Sequence, residues 1–421
     1  MIGSFIGRLT SGCAVRTLLG RVGIVGGNFA VMMALAVWLG LDAFGQIAVL
    51  WGLAMVAGTV VSVGAPLLLL RILTDGGGVT AGGLWRQIAL YPAGLAAVAL
   101  LVLPRAVPDV PWVAVMLAGL AVNAATCVAS IMRGLGSVQL SMLLRDGLPQ
   151  LALGAAAVLW GPAAGGIMAG AAVIMGGAAT LLLVICLRRP AIGALIQPGG
   201  DGGAIRYGLW GTAVLGMAAA QVDIIVGGSI LRADQIGLYA LLRRVANLVA
   251  LPVSVATWVS AVPISAAFGM QDRTALRQAS AAGSRIALLP GAVLFLAALL
   301  LLPWVAPFAG QTWSVEARSV ALVLLCGAVI QVFLASGMTV ATLCGFERFA
   351  FGARLLGLFT YLGMVVWSGS TLSALGNAAA YVSGIASGGL LLWALLWARL
   401  AIDTSGAALW RAQRGQTWKL P

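Results

Sequence analysis

Long apolar runs, repeated from end to end, constrain this chain more than any other feature. Each spans roughly 20 residues, enough to cross a hydrocarbon core of about 30 Å as a helix. In that medium every backbone N–H and C=O must be satisfied internally, which leaves helices or a closed barrel. The alternation over about ten residues that a membrane barrel needs is absent. Only 8% of the 421 residues are charged, against roughly 25% in a soluble domain, and no soluble domain with its own core fits between the runs. The expected fold class is an all-α membrane protein.

The runs predict twelve spans: Leu18–Leu39, Gln46–Leu70, Ile88–Leu103, Val110–Met132, Val138–Trp160, Gly165–Leu187, Tyr207–Leu231, Gly237–Pro263, Ile286–Pro307, Ala317–Leu343, Phe349–Trp367 and Leu372–Ala398. A Gly/Pro-rich connection from Arg188 through Pro198 to Gly203 separates the sixth from the seventh. The chain therefore divides into an N-terminal six-helix bundle over 1–195, a C-terminal six-helix bundle over 196–400 and a basic cytoplasmic tail over 401–421. Trp410 and Trp418 suit that tail to interfacial anchoring. The polar, basic stretch Gly269–Arg285 is expected along the inner surface. The halves also resemble each other: Phe44-Gly45-Gln46-Ile47-Ala48 recurs as Ile236-Gly237-Leu238-Tyr239-Ala240, an offset of 237 − 45 = 192. Each copy opens a span after a short acidic turn, holding Asp42 or Asp234. A parallel repeat of this kind predicts two pseudo-symmetric bundles around a central cavity, as in rocking-bundle transporters.

The net charge of +13 does not signal nucleic acid, because the bases punctuate the runs instead of forming a face. With both termini inside, nineteen of the 24 Lys and Arg residues fall at cytoplasmic ends and three (Arg105, Arg232, Arg318) in the opposite loops. Arg243 and Arg244 remain inside the eighth span. That bias sets the topology, with both termini cytoplasmic. Arg8, Arg16 and Arg21 before the first run read as the flank of an uncleaved span. Histidine is absent, and the five cysteines lack metal-ligand spacing, which excludes a zinc site and histidine acid/base catalysis. No cofactor is expected. The outer loops are short, as at Gly161–Ala164, and leave no platform for catalytic machinery.

Charges inside apolar runs face a cavity or each other. Asp223 lies roughly 12 Å below the outer end of the seventh span and Arg243 roughly 9 Å down the eighth. The two form either a structural ion pair, or a site where Arg243 or Arg244 receives an anion while Asp223 restrains it. Successive helical residues point about 100° apart, so both arginines do not serve one carboxylate. Arg145, beside Asp146, and Arg354, early in the eleventh span, either snorkel to headgroups or face inward. Arg21 has the same choice, and Pro149 is expected to loosen the helix after Arg145. Facing inward, these guanidinium groups would suit a diphosphate, whose oxygens they grip in bidentate fashion. Asn28, Gln46, Asn123, Gln221, Asn247, Gln331 and Asn377 supply uncharged polar groups for interhelical hydrogen bonds or a cavity lining.

Asp223-Ile224-Ile225-Val226-Gly227, then Ile236 to Ala240 with Arg243, then Pro263-Ile264-Ser265, resembles the second-half pattern of the polysaccharide-biosynthesis flippases. These belong to the multidrug/oligosaccharidyl-lipid/polysaccharide exporter superfamily. Leu39-Gly40, Phe44 to Ile47, Gly64 and Arg71 look like the matching first-half pattern. The resemblance implies two six-helix bundles and movement of an undecaprenyl-diphosphate-linked oligosaccharide to the outer leaflet of a bacterial inner membrane by alternating access. It carries over Asp223 and Arg243 as site residues and implies membrane lipids and polysaccharide assembly proteins as partners. No covalent bond is made or broken, so no catalytic residue is expected. The competing readings are a cation-coupled multidrug exporter of the same superfamily, a membrane glycosyltransferase or polymerase, and a scaffold without transport.

Overall fold

The computed structural model describes residues 12–66, 68–70, 80–187, 207–308, 313–369 and 372–408. The connection at Arg188–Gly203 with the 195/196 boundary, Arg8, Arg71, Arg206 and the tail from residue 409, including Trp410, Arg411, Arg414, Trp418 and Lys419, lie outside the described residues. Among the described residues the regular structure is entirely helical. Eleven helices among the described residues are long and apolar enough to cross a membrane. The first candidate, Gly20–Val61, has 42 residues, about 63 Å of helix or twice a bilayer core, and so covers most of the first two predicted spans; the second, Gln46–Leu70, leaves helical geometry at Val63 and Gly64. The chain is an all-α, multi-pass membrane protein.

Contacts divide the chain into two compact units, Met1–Ile225 and Val226–Pro421. The first begins with α1 (Gly12–Val61), broken at Gly40, whose φ of 78° and ψ of 161° lie in a region open only to glycine. Then come α2 (Ala81–Trp85), a π-helical turn at Arg86–Leu90, α3 (Tyr91–Ala106), α4 (Trp112–Gly134), α5 (Val138–Met142), a second π turn at Leu143–Gly147, α6 (Leu148–Trp160) and α7 (Ala164–Leu187). Each π turn sits just before a proline at the start of the next helix, Pro92 or Pro149. Proline has no N–H to donate and its ring crowds the carbonyl four residues back, so the chain takes up a wider turn there. The loosening expected at Pro149 therefore has a definite form: the Leu148 N–H bonds five residues back, to the Leu143 carbonyl. Ala125, Val128, Met132, Leu144, Ala179 and Cys186 make a core cluster of this unit.

Helix α8 (Tyr207–Ile230) carries the boundary between the units. The second unit continues with α9 (Ala233–Val249), α10 (Leu251–Gly269), α11 (Arg273–Phe308), α12 (Val315–Phe333), α13 (Ala335–Leu343), α14 (Glu347–Ser368) and α15 (Ala374–Leu400). Two predicted spans are thus split. The eighth breaks at Ala250, where Pro252 enters the first turn of α10, and the tenth at Leu334, whose backbone leaves helical geometry at φ −101°, ψ 19°. The basic stretch at Gly269–Arg285 supplies the opening turns of α11, a continuous helix of 36 residues that runs through the ninth span.

Helices α14 and α15 approach until a Cβ on Gly384 would lie 2.6 Å from the Gly357 carbonyl oxygen, and one on Gly388 2.6 Å from that of Ala353. Gly384-Ile-Ala-Ser-Gly388 is a small-xxx-small motif; in lipid, such close backbone packing replaces the hydrophobic drive that holds soluble helices together. Beyond α15 the chain folds back into the second unit. The Gly406 N–H donates to the Phe333 carbonyl at 2.7 Å, the Trp393 indole N–H donates to Asp403 at 3.0 Å, and Ile402 is buried in the core cluster with Leu392 and Leu396.

Candidate functional site

Helix α9 starts on an exposed turn. The Arg232 guanidinium pairs with Asp234 at 2.9 Å, and the Gln235 side chain accepts from the Arg232 N–H at 3.3 Å. From there Ile236, Tyr239, Ala240, Arg243 and Ala246 recur at three- and four-residue intervals and are all buried. Arg243 is only 5% exposed, because it occupies a position on the face that packs inward. Arg244 points about 100° away and is half-buried.

The Arg243 guanidinium lies over the Tyr381 ring, 4.5 Å from its centroid, and its Nη2 donates to the Tyr381 hydroxyl at 2.9 Å. One turn earlier on α15 is Asn377, fully buried, whose Oδ1 accepts from the Tyr361 hydroxyl of α14 at 2.8 Å. Helix α8 reaches this place through Gly227, where a Cβ would stand 2.8 Å from Asn377 Nδ2 and 2.9 Å from Ile236 Cδ1. The second unit therefore holds a polar arrangement of buried Arg243, Asn377 and Tyr361 with half-buried Tyr381, contributed by three helices. Asp223 lies one turn before Gly227 on α8, on the same helical face; it is fully buried and belongs to the first unit. Arg354 is half-buried, two turns into α14.

The first unit carries its own charged cluster. On α1, Arg21 donates from Nη1 to Asp146 Oδ2 at 2.7 Å, and Asn28, seven residues on, donates to the Asp146 carbonyl at 2.7 Å. Arg145 reaches the same carboxylate from Nε at 2.9 Å and from Nη2 at 3.1 Å. A Cβ on Gly147 would meet Ile24 Cγ2 at 3.4 Å, so the Arg21–Ile24–Asn28 face of α1 packs against the π turn. Of the five site candidates, Arg145 joins this cluster and Arg243 the one in the second unit.

The five-residue repeat has matching burial. Phe44, Gly45, Ile47 and Ala48 are buried, as are Ile236, Gly237, Tyr239 and Ala240, while Gln46 is exposed and Leu238 half-buried. Each copy follows a helix break, at Gly40 or at Leu231–Arg232. Carrying the 192-residue offset forward makes Trp51, 4% exposed, the equivalent of Arg243 in the repeat (243 − 192 = 51). The buried arginine is a feature of the second half alone at this position.

Sequence reasoning missed Tyr361 and Tyr381. The signal was their rarity, since the chain has only five tyrosines, and the four-residue spacing of Asn377 and Tyr381 in a helix that is otherwise small and apolar as far as Arg399 in its last turn.

No protein-family model matches the chain, and no curated protein sequence matches it. Solved structures do. The MATE multidrug transporter DinF-BH superposes with a TM-score of 0.65 at 14% identity, over 93% of this chain and 96% of that one. The lipid II flippase MurJ in an inward closed conformation superposes at 0.61 with 11% identity, over 96% of this chain and 94% of that one. An outward-facing multidrug resistance MATE family transporter of the MOP superfamily gives 0.62 at 14% identity, over 92% and 95%. The chain shares the fold of these proteins along nearly its whole length.

Proposed function

We propose that this chain is a transporter of the bacterial inner membrane, both termini cytoplasmic, that flips an undecaprenyl-diphosphate-linked oligosaccharide to the outer leaflet by alternating access for surface polysaccharide synthesis. The observation that carries the reading is Arg243, buried in an apolar helix face and held over the ring of Tyr381. A guanidinium in that setting needs an anionic or π partner, and a diphosphate offers oxygens at the spacing of its fork. The shared fold supports transport, since the proteins that have it include a lipid flippase and multidrug transporters. Arg244, Arg145 and Arg354 are further substrate contacts in this reading, with Asp223 as a restraint.

The test is reconstitution. Purified protein in vesicles is given the lipid-linked oligosaccharide on one face, and arrival on the other is read by a membrane-impermeant oxidant of the sugars. Arg243→Ala should lose at least about tenfold in flipping, the loss of one hydrogen bond to a charged group, with protein level and melting temperature preserved. Equal loss of protein level would make Arg243 a structural partner of Tyr381 instead. Fully buried Asp223 favours a second reading, a cation-coupled multidrug exporter; extrusion of a lipophilic cationic dye without glycolipid flipping would establish it.

A further inference from the structure

The charged cluster in the first unit has a geometry that an ion pair alone does not require. Two guanidinium groups converge on one carboxylate: Arg21 gives one hydrogen bond at 2.7 Å and Arg145 gives two, at 2.9 and 3.1 Å. This is the multi-donor grip that arginines use on a phosphoryl group. Arg21 and Arg145 thus meet on one carboxylate. The side chains are not sealed: Arg21 is 14% exposed, Asp146 25% and Arg145 41%. Asp146 is anchored through its backbone by Asn28 and stands on a π turn, a local widening of the helix that frequently marks functional sites.

We infer that Asp146 is an internal stand-in for a phosphoryl oxyanion. The carboxylate occupies the Arg21–Arg145 grip when the site is empty, and a phosphate group arriving from the side of Arg145 displaces it. The exchange replaces one anion by another on the same donors, so the hydrogen bonds given to the carboxylate pass to the phosphate during binding and return on release. Affinity is thereby held down, which suits a protein that must let its cargo go. The phosphate belongs to a diphosphate-linked lipid substrate, in which case the inference rests on the flippase reading, or to the headgroup of an anionic bilayer lipid.

Binding of inorganic pyrophosphate by the purified full chain in phosphatidylcholine nanodiscs tests this without any transport step. Asp146→Asn removes the competing charge and should tighten pyrophosphate binding at least about tenfold, the scale of one charge-assisted hydrogen bond. Adding Arg21→Gln to that variant should abolish the gain. Asp146→Glu, which keeps the competitor, should stay within about twofold of the unaltered protein. Unchanged or weaker binding by a folded Asp146→Asn protein would overturn the inference, as would a gain that survives Arg21→Gln. Should Asp146→Asn not fold, Arg21→Gln alone must weaken pyrophosphate binding, and equal binding sinks the idea. In nanodiscs containing phosphatidylglycerol, disappearance of the Asp146→Asn gain assigns the site to lipid headgroups; persistence assigns it to the diphosphate. Loss of glycolipid flipping as a function, with the pyrophosphate gain intact, would sink the flippase reading and leave the exchange standing.

Discussion

At the scale of single residues, the question is what holds Arg243 at a depth where a bare cation is unfavourable. Stacking on an aromatic face contributes about 0.5–2 kcal/mol, and a hydrogen bond to a charged group about 1.5–3 kcal/mol. Tyr381 supplies both. The two are separable: Tyr381→Phe keeps the ring and loses the hydroxyl, while Tyr381→Leu loses both. If Arg243 is held ready for a diphosphate, Tyr381→Phe should lower flipping by about tenfold or less and Tyr381→Leu by more, with Arg243→Lys as impaired as Tyr381→Leu because an ammonium has no planar fork. Flipping rates set beside melting temperatures decide the matter. A fall in melting temperature that tracks flipping across all three variants would leave Arg243 as a packing element. Arg243 was legible in the sequence as a charge inside an apolar run. Its partner was not, since Tyr381 lies 138 residues away and nothing local to either residue announces the pair. The same holds for Arg21 and Asp146, 125 residues apart.

At the scale of helices, two glycines make opposite predictions. Gly40 breaks α1 at a backbone conformation reserved for glycine, yet a Cβ there would meet nothing within 4 Å. Gly40→Ala therefore costs only conformational strain, about 1–3 kcal/mol. Gly384 has ordinary helical geometry, but its Cβ would stand 2.6 Å from a backbone oxygen of the neighbouring helix, which cannot turn aside as a side chain does. Gly384→Ala must push α14 and α15 apart and should lower the melting temperature in detergent more than Gly40→Ala. The reverse order would show that the pair of helices separates easily and that the break in α1 is the more important joint. Hydropathy found these helices because length and apolarity are local properties. It ran through Ala250 and Leu334 because hydropathy averages over a run and does not register a change of backbone geometry inside it, even with Asn247 and Gln331 close by. Pro252 was visible, but Pro263, Pro290 and Pro303 sit inside continuous helices, so a proline in the sequence does not say which of them interrupts.

For the molecule as a whole, the fold is common to multidrug transporters and a lipid II flippase, so architecture does not select the cargo. What selects is the balance of charge in the spans and the class of group that balance can hold. Arg21 and Arg145 share a single carboxylate, and Arg243 is held by an aromatic ring and its hydroxyl. Should these guanidinium groups line the path, they would favour an anionic headgroup, and a lipophilic cation would meet repulsion at the same places. Deletion of the gene in its native host separates the two at the level of the cell. With a glycolipid cargo, the undecaprenyl-linked repeat accumulates on the inner leaflet while surface polymer falls, because synthesis continues and its exit is closed. With a cationic cargo, glycan is unchanged and the cell becomes sensitive to lipophilic cations. Complementation adds the residue-level link: an Arg243→Ala copy expressed at the normal level should fail to restore surface polymer, whereas the unaltered copy restores it. Restoration by both copies would remove Arg243 from the transport path even with the glycolipid cargo established, and would leave the remaining arginines to carry the diphosphate.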